Sequence, residues 1–288
     1  MYDFLIAPFA DFAFMRSALY GSLALALSSC PVGVFLMLRR MSLTGDAMAH
    51  AILPGAATGF LLFGLNIVPM TIGGLIAGVV VALGAGAVSR FTIQKEDASM
   101  AAFYLISLAL GVLMVSIRGS SVDLMHVLFG TVLALNDAAL TLIGVIAAVT
   151  LVTLAIFWRA LVAECLDPLF LRSVSRFGTP VHFIFLALVV LNLVGGFQAL
   201  GTLLSVGLMM LPAAAARFWT VRLEPMIALA VVIGAVSCIA GLLLSYHFSL
   251  PSGPAIILSA GAVYLASIVA GTRGILNSRV RHHRHRTA

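Results

Sequence analysis

Charge is the scarcest property of this 288-residue chain. Only 9% of its residues are Asp, Glu, Lys or Arg, against about 25% in a typical soluble domain. Hydrophobic residues make up 62% of the chain, and the mean hydropathy is +1.17. This balance excludes an ordinary water-soluble domain, which needs a charged surface. The composition predicts an integral membrane protein.

Several enzyme signatures are absent as well. The only lysine is Lys95, and no glycine-rich loop precedes it, which excludes a GxxxxGK[ST] phosphate-binding loop. The chain has neither the HExxH motif of zinc proteases nor the GxSxG motif of serine hydrolases. Its three cysteines are far apart and form no CxxC spacing, so we expect small buried residues and not a metal or disulfide site. They are Cys30, Cys165 and Cys238.

Apolar runs long enough to cross a membrane are abundant. About 20 residues of α-helix span the roughly 30 Å hydrocarbon core. We therefore predict an all-α, polytopic bundle of about eight or nine transmembrane helices. The apolar stretch 122–135 is short, and we expect a re-entrant or interfacial segment there. The predicted spans are 14–38, 43–64, 67–88, 99–117, 139–158, 180–197, 202–216, 225–246 and 254–271.

Basic residues are distributed unequally between the two sides. If Arg39 and Arg40 face the cytoplasm, fourteen of the sixteen basic residues do so, and only Arg16 and Arg118 lie outside. The positive-inside rule then predicts an external N-terminus and a cytoplasmic C-terminus. The net charge of +6 follows from this topology and implies no nucleic-acid partner.

Two predicted cytoplasmic segments carry further hypotheses. Within 159–180, Asp167 as N-cap and Pro168 as first helical residue predict a short amphipathic helix. That helix is either an interfacial connector or a docking element for a cytoplasmic partner. The tail at 279–288 is rich in histidine and arginine, which suits either metal binding or attraction to anionic lipid.

Asp46 and His50 are ionisable residues in the small, apolar run MSLTGDAMAHAILPGAATGF, 41–60. The i, i+4 spacing puts them on one helical face, with His50 about 15 Å beyond Arg40 and near mid-bilayer. Ionisable pairs at that depth usually face a bundle interior or a watery path. The alternative is a first-turn acid stabilised by the helix dipole and a neutral buried histidine.

Pro54 lies four residues after His50 and has no N–H. The carbonyl of His50 therefore loses its helical donor, and we expect the helix to open beside the histidine. Carboxylate and imidazole suit Zn²⁺ best and are tolerable for Mn²⁺ or Fe²⁺. One helix gives two ligands, whereas two facing copies of the chain would give an Asp2His2 set.

Three other polar residues are weaker candidates near the predicted outer surface. Asp123 and His126 share a helical face in SVDLMHVLFG, where an interfacial polar pair and a metal entry route are both compatible with the pattern. His247 comes shortly before the turn at 251–254 and is either solvated or part of such an entry route.

Six blocks in fixed order resemble the permeases of the zinc, manganese and iron uptake family of ATP-binding-cassette (ABC) importers. They cover most of the chain, and their order is far more specific than any one of them. The blocks are RRMSLTGDAMAHAILPG, KEDASM, VDLMHVLFG, LDPLF, ALGTLLSVGLMMLPAAAAR and LPSGPAIIL.

The resemblance implies a single permease domain over 1–288 that forms a homodimer in a bacterial inner membrane. It implies a cytoplasmic ATPase dimer and a periplasmic metal-binding protein as partners, with ATP used only by the ATPase and no permanently bound cofactor. The LDPLF helix, with Asp167, Pro168 and Leu169, looks like the coupling helix that meets the ATPase. Asp46 and His50 match the family's intramembrane metal position.

The expected function is therefore inward transport of a divalent transition metal, with Zn²⁺ as the first expectation and Mn²⁺ or Fe²⁺ as the alternative. We expect alternating access by rigid-body rocking of two protomers and no enzymatic activity in this chain. Three other hypotheses remain open from the sequence: a proton-coupled secondary metal transporter, a permease for a bulky metal chelate, and a purely structural membrane subunit.

Overall fold

Helix is the only regular secondary structure in the part of the chain that the structure describes. In this computed structural model those residues are 6–64, 66–117, 135–166 and 178–275. Asp123, His126, Asp167, Pro168, Leu169 and the tail at 279–288 lie outside them, as does nearly all of 122–135. The described helices are α1 (Ala7–Asp11), α2 (Ala13–Leu38), α3 (Ser42–Ala51), α4 (Leu53–Phe63), α5 (Ile67–Phe91), α6 (Glu96–Ile117), α7 (Asp137–Leu166), α8 (Gly178–Leu200), α9 (Thr202–Arg217), α10 (Leu223–Phe248) and α11 (Ser252–Ala270).

Eight apolar stretches among the described residues are long enough to cross a membrane, with α3 and α4 together forming one of them. The shorter apolar helix α9 has 16 residues. The predicted all-α bundle of eight or nine transmembrane helices is confirmed. The predicted span 139–158 lies within α7, which continues to Leu166. Arg159 and Glu164 end the apolar run without ending the helix, and Glu164 is buried against a guanidinium from the end of α2.

The helix α2 lies at the centre of the described bundle and packs against α7, α9 and α10. It is apolar on every side, as expected for a helix surrounded by others, and its serines at 22, 28 and 29 are buried. A cluster of buried apolar side chains joins α2 to α3 and α8 through Phe35, Met48 and Phe185. Cys30 and Cys238 are buried and Cys165 is half-buried, and all three are free thiols.

Glycines allow α4 and α5 to approach each other closely. A Cβ atom added to Gly55 would overlap the carbonyl oxygen of Gly73, and one added to Gly59 would crowd the backbone at Pro69. On α5, Gly74 lies against Ile52, and Gly78 lies against a valine of α8. Both GxxxG patterns therefore pack on neighbouring helices, as the sequence predicted.

Contacts at the helix ends show which residues share one end of the bundle. Met37, Arg217 and Arg273 line a single groove of about 350 Å³. We call this end, where α2 and α9 finish and α10 begins, the arginine end. Phe12, at the start of α2, contacts the ring of Tyr246 near the finish of α10, with 5.7 Å between ring centroids. That contact marks the opposite end.

Candidate metal-transit site

A three-residue turn at the arginine end determines where α3 begins. The N–H of Met41 donates to the carbonyl of Leu36 at 2.9 Å, and the N–H of Arg40 donates to that of Met37 at 3.1 Å. These two bonds form a Schellman motif, which requires a left-handed residue, and Arg40 has φ 59°. Because the turn is so short, the end of α2 dictates the position of the first turn of α3.

Asp46 and His50 lie on one face of α3, as their spacing predicts. The Nε2 atom of His50 is 3.9 Å from Oδ1 of Asp46, which is too long for a hydrogen bond. The Asp46 side chain is 68% exposed and that of His50 is 33% exposed, while Met48 and Ala49 are buried. In a single copy, α3 therefore turns its apolar side into the bundle and presents the ionisable pair at the surface.

A groove of about 190 Å³ beside Asp46 adds a second carboxylate from another helix. The groove runs between α3 and the start of α6, so that Asp97 and Asp46 border the same space. The ring of Tyr104 also borders it and lies 6.5 Å from the His50 ring, centroid to centroid. The lining residues are Leu43, Thr44, Asp46, Ala47, Asp97, Met100, Ala101 and Tyr104.

The helix is interrupted immediately after His50. α3 ends at Ala51 and α4 begins at Leu53, with Pro54 in its first turn. Pro54 has no N–H to donate to the carbonyl of His50. That carbonyl instead accepts from the N–H of Ile52. The next carbonyl, that of Ala51, accepts from the Ser107 hydroxyl at 2.8 Å. Both carbonyls at the break are therefore hydrogen-bonded, one of them to a side chain of α6.

The helix α6 passes very close to this break. A Cβ atom added to Gly111 would be 3.0 Å from the Pro54 nitrogen. Gly111 follows Ser107 by four residues, so both face the break from the same side of α6. Glycine permits the close approach and serine satisfies the carbonyl, so α6 supports the opened backbone next to the histidine.

Sequence reasoning missed the contribution of α6. The signal was present, because Asp97, Ala101 and Tyr104 follow one another at i, i+4 and i+7, the spacing of a single helical face. What the sequence could not show is that this face of α6 lies against α3, since about fifty residues separate Asp46 from Asp97 in the chain.

The described residues of one copy do not complete a metal site. They contain no group of three or more His, Cys, Asp or Glu side chains placed to hold one ion. Asp46 and His50 therefore form at most a partial ligand set, with two side chains from one helix. Other side chains or water must supply the remaining positions for a four- to six-coordinate ion.

His247 lies far from this pair. It is exposed in the last turn of α10, at the end of the bundle opposite to the arginine end, and its ring contacts that of Tyr246. The structure thus separates His247 from Asp46 and His50. The other two entry candidates, Asp123 and His126, are among the residues outside the described ranges.

Known proteins are similar to this chain over nearly its whole length. The profile of the ABC 3 transport family matches residues 11–271. The manganese transport system membrane protein MntC of Listeria monocytogenes is 35% identical over 94% of this chain and 96% of its own. A probable iron transport system membrane protein of Haemophilus influenzae is 29% identical over 93% of this chain and 97% of its own.

A solved structure extends the similarity to three dimensions. It is that of PsaBC from Streptococcus pneumoniae in complex with Fab, which superposes with a TM-score of 0.82 at 31% identity. The match covers 95% of this chain and 97% of that one. The chain therefore belongs to the ABC 3 transport family, and it is the membrane-spanning permease of a metal importer, a transport subunit and not an enzyme.

Proposed function

We propose that this permease carries Mn²⁺ into the cytoplasm and that Asp46 and His50 are its transit site. The observation that carries the proposal is the position of the pair. A carboxylate and an imidazole lie 3.9 Å apart on one face of a membrane helix, in the run 41–60 that contains no other Asp, Glu, Lys, Arg or His. Burying such groups against lipid is costly, so their presence calls for a function that uses them.

The choice of metal rests on the relatives more than on the ligands. Aspartate and histidine favour zinc in general, but selectivity among divalent metals also depends on geometry and on delivery by a partner. The Listeria relative at 35% identity is named for manganese and the Haemophilus relative at 29% for iron. Their names favour the manganese or iron alternative over zinc, with manganese first.

We further propose that two copies of the chain face each other across this pair. In one copy Asp46 is exposed and His50 is partly exposed, and the two give too few ligands alone. A separate apolar groove of about 630 Å³ begins at Pro54, four residues after His50, and is lined by α4, α5 and α6 as far as Leu110 and Met114. Together with the groove beside Asp46 it forms a surface that extends roughly 25 Å along α6, from Asp97 to Met114. A second copy would cover it and bring two further ligands.

In this proposal the ion is bound only transiently. Alternating access would expose the paired site first to the outer side and then to the cytoplasm as the two protomers rock. The break between α3 and α4 gives the protein a joint beside His50, where α3 can tilt without disrupting a continuous helix. Binding must be selective but weak enough for release.

The partners follow from the same proposal. We place the arginine end in the cytoplasm, where segment 167–177 would meet an ATPase dimer, and the end carrying His247 outside, facing a metal-binding protein. Hydrolysis of ATP would occur in the partner chains and reset the orientation of the permease. This assignment agrees with the positive-inside rule.

The test is uptake into vesicles that contain the permease, its ATPase and its binding protein. Manganese, iron and zinc are compared for the wild type and for Asp46→Asn and His50→Gln. Asp137→Asn is a matched control, because Asp137 is an exposed acid in the first turn of α7. We expect the first two variants to assemble and to lose uptake by at least about tenfold, since even outer-sphere changes cost that much at metal sites.

The result also discriminates among the other hypotheses. Preferred uptake of zinc would support Zn²⁺ as the substrate, as the carboxylate and imidazole ligands suggest. Uptake that follows a proton gradient without ATP would indicate a secondary transporter. If Asp46→Asn and His50→Gln transport as well as Asp137→Asn, the pair is structural and the proposed transit site is wrong.

A further inference from the structure

A second ionisable cluster is buried at the arginine end, away from the transit pair. Arg39 donates from Nη2 to Oε1 of Glu164 at 2.7 Å and lies 2.8 Å from Nδ1 of His182. The Nδ1 atom of His182 is 3.4 Å from the same Glu164 oxygen. The three side chains are between 4% and 9% exposed. The Arg39 guanidinium also covers the ring of Phe185 at 4.8 Å.

Stability alone does not explain this cluster. Removing charges from water is costly, and apolar residues of similar size usually stabilise a buried site as well as an ion pair does. Directional hydrogen bonds, in contrast, hold their partners in one geometry. The helices joined by the cluster are therefore fixed relative to each other, and the important question is which helices they are.

Each member of the cluster lies close to the end of a helix. Arg39 directly follows α2 and is three residues before Ser42, where α3 begins. Glu164 is two residues before the end of α7, and His182 is in the second turn of α8. The residues between α7 and α8, 167–177, contain all of the LDPLF block except Leu166, the last residue of α7. The cluster thus connects both flanks of that segment to the base of the helix that bears Asp46 and His50.

We propose that Arg39, Glu164 and His182 are positioning residues that transmit movement of the 167–177 segment to α3. The inference rests on the proposed function, in which that segment meets the ATPase. When the ATPase moves the ends of α7 and α8, Glu164 and His182 move Arg39. The Schellman turn at Arg40 then passes this displacement to the first turn of α3, because only three residues separate the helices. No member of the cluster contacts the ion.

The proposal predicts uncoupling and not simple loss of activity. Glu164→Gln and His182→Gln, in the complete complex with ATPase and binding protein, should still hydrolyse ATP. The number of manganese ions taken up per ATP should fall about tenfold, within the range usual for coupling between distant sites. A merely structural role would lower ATP hydrolysis and uptake together and leave this ratio unchanged, which would overturn the proposal.

A matched control is available between the same two helices. Asn192 of α8 donates from Nδ2 to the hydroxyl of Thr150 of α7 at 2.9 Å, and both side chains are buried. Thr150→Val removes this bond without touching the cluster. We expect its ion-to-ATP ratio to equal that of the wild type. An equal fall in the control would mean that any loosening of α7 against α8 uncouples transport, and the cluster would lose its special role.

A second variant distinguishes loss of coupling from misfolding. The triple change Arg39→Met, Glu164→Leu and His182→Phe replaces the cluster by apolar groups, which should keep the protein assembled. We expect this variant to be uncoupled as well. If it transports with the wild-type ratio, the hydrogen bonds transmit nothing and the proposal fails.

A third measurement does not require transport. Leu43 is 76% exposed on α3, so a Leu43→Cys variant in a Cys165→Ser background reports the surroundings of that helix through its reaction with a thiol reagent. ATP should change its reactivity in the complex, and Glu164→Gln should abolish the change. If the wild type takes up no metal but shows this difference, the function proposed above fails and the coupling role stands. If Glu164→Gln retains the full change, the coupling role fails.

Discussion

At the scale of single residues, two backbone positions beside the transit pair require either a particular conformation or a particular hydrogen-bond donor. The turn before α3 holds a non-glycine residue at φ 59°, and the break after His50 leaves a carbonyl that depends on a side chain from another helix. Each feature concerns one residue and can be tested by one substitution. Neither involves a metal ligand.

Arg40→Gly should stabilise the protein by about 1 kcal/mol, because glycine adopts a positive φ without the steric cost that other residues carry. Thermal unfolding of the purified permease in detergent measures the change. Arg40→Val, which is β-branched, should shift the midpoint in the opposite direction. Equal midpoints for the two variants would show that the left-handed conformation at this turn carries no strain.

Ser107→Ala should destabilise the protein by roughly 1–3 kcal/mol, because the buried carbonyl of Ala51 loses its donor. Ser259→Ala is the matched control: its hydroxyl only supplements a carbonyl four residues earlier in its own helix. Chemical or thermal unfolding should separate the two variants. If they unfold alike, the Ser107 hydrogen bond does not support the break.

At the scale of helices, α4 and α5 depend on a close contact between glycines. Substitution at this contact tests packing separately from charge and hydrogen bonding. The chain also offers glycines in open surroundings, so the intrinsic effect of alanine on a helix can be subtracted.

Gly55→Ala should force α4 away from α5, because the new methyl group would overlap the carbonyl of Gly73. We expect a loss of about 1–3 kcal/mol, as for other overpacked sites, together with weaker transport. Gly261→Ala is the control, since nothing lies within 4 Å of the added atom, and it should be neutral or slightly stabilising. If Gly55→Ala leaves stability and transport unchanged, α4 and α5 can separate without loss of free energy.

The helices themselves were largely predictable from the sequence, because apolar length alone identifies a membrane span. Hydropathy ends the apolar span at residue 158, whereas α7 continues to Leu166 with Glu164 buried in an ion pair with Arg39. These two residues are 125 positions apart, so no local pattern could reveal the pair.

The same limit applies to the site. Asp46 and His50 were recognisable because both belong to one helix and share a face. Asp97, Tyr104 and Ser107 belong to another helix, and their proximity is a property of packing. Sequence periodicity gives the faces of helices, while the contact between two faces requires the folded structure.

At the scale of the whole molecule, a paired permease should bind one ion for every two chains. We expect equilibrium binding to give this ratio for Mn²⁺, and electron paramagnetic resonance to show coupling of the ion to two imidazole nitrogens. Two nitrogens follow from one His50 in each copy. One ion per chain with a single nitrogen would contradict the proposed pairing. His247→Gln is a useful control here, because it removes an imidazole from the opposite end of the bundle.

The turn between α2 and α3 has a consequence for how this chain can vary in length. An α-helix advances 100° per residue, so one residue inserted between Ser42 and Asp46 would rotate the carboxylate and the imidazole about a third of the way around the helix. The buried residues of α3 would then face outward or the pair would face the core. A change of length by even one residue in this segment would displace both side chains at once, which no single substitution does. Insertions and deletions should therefore be found in the loops and tail, and not between Arg39 and His50.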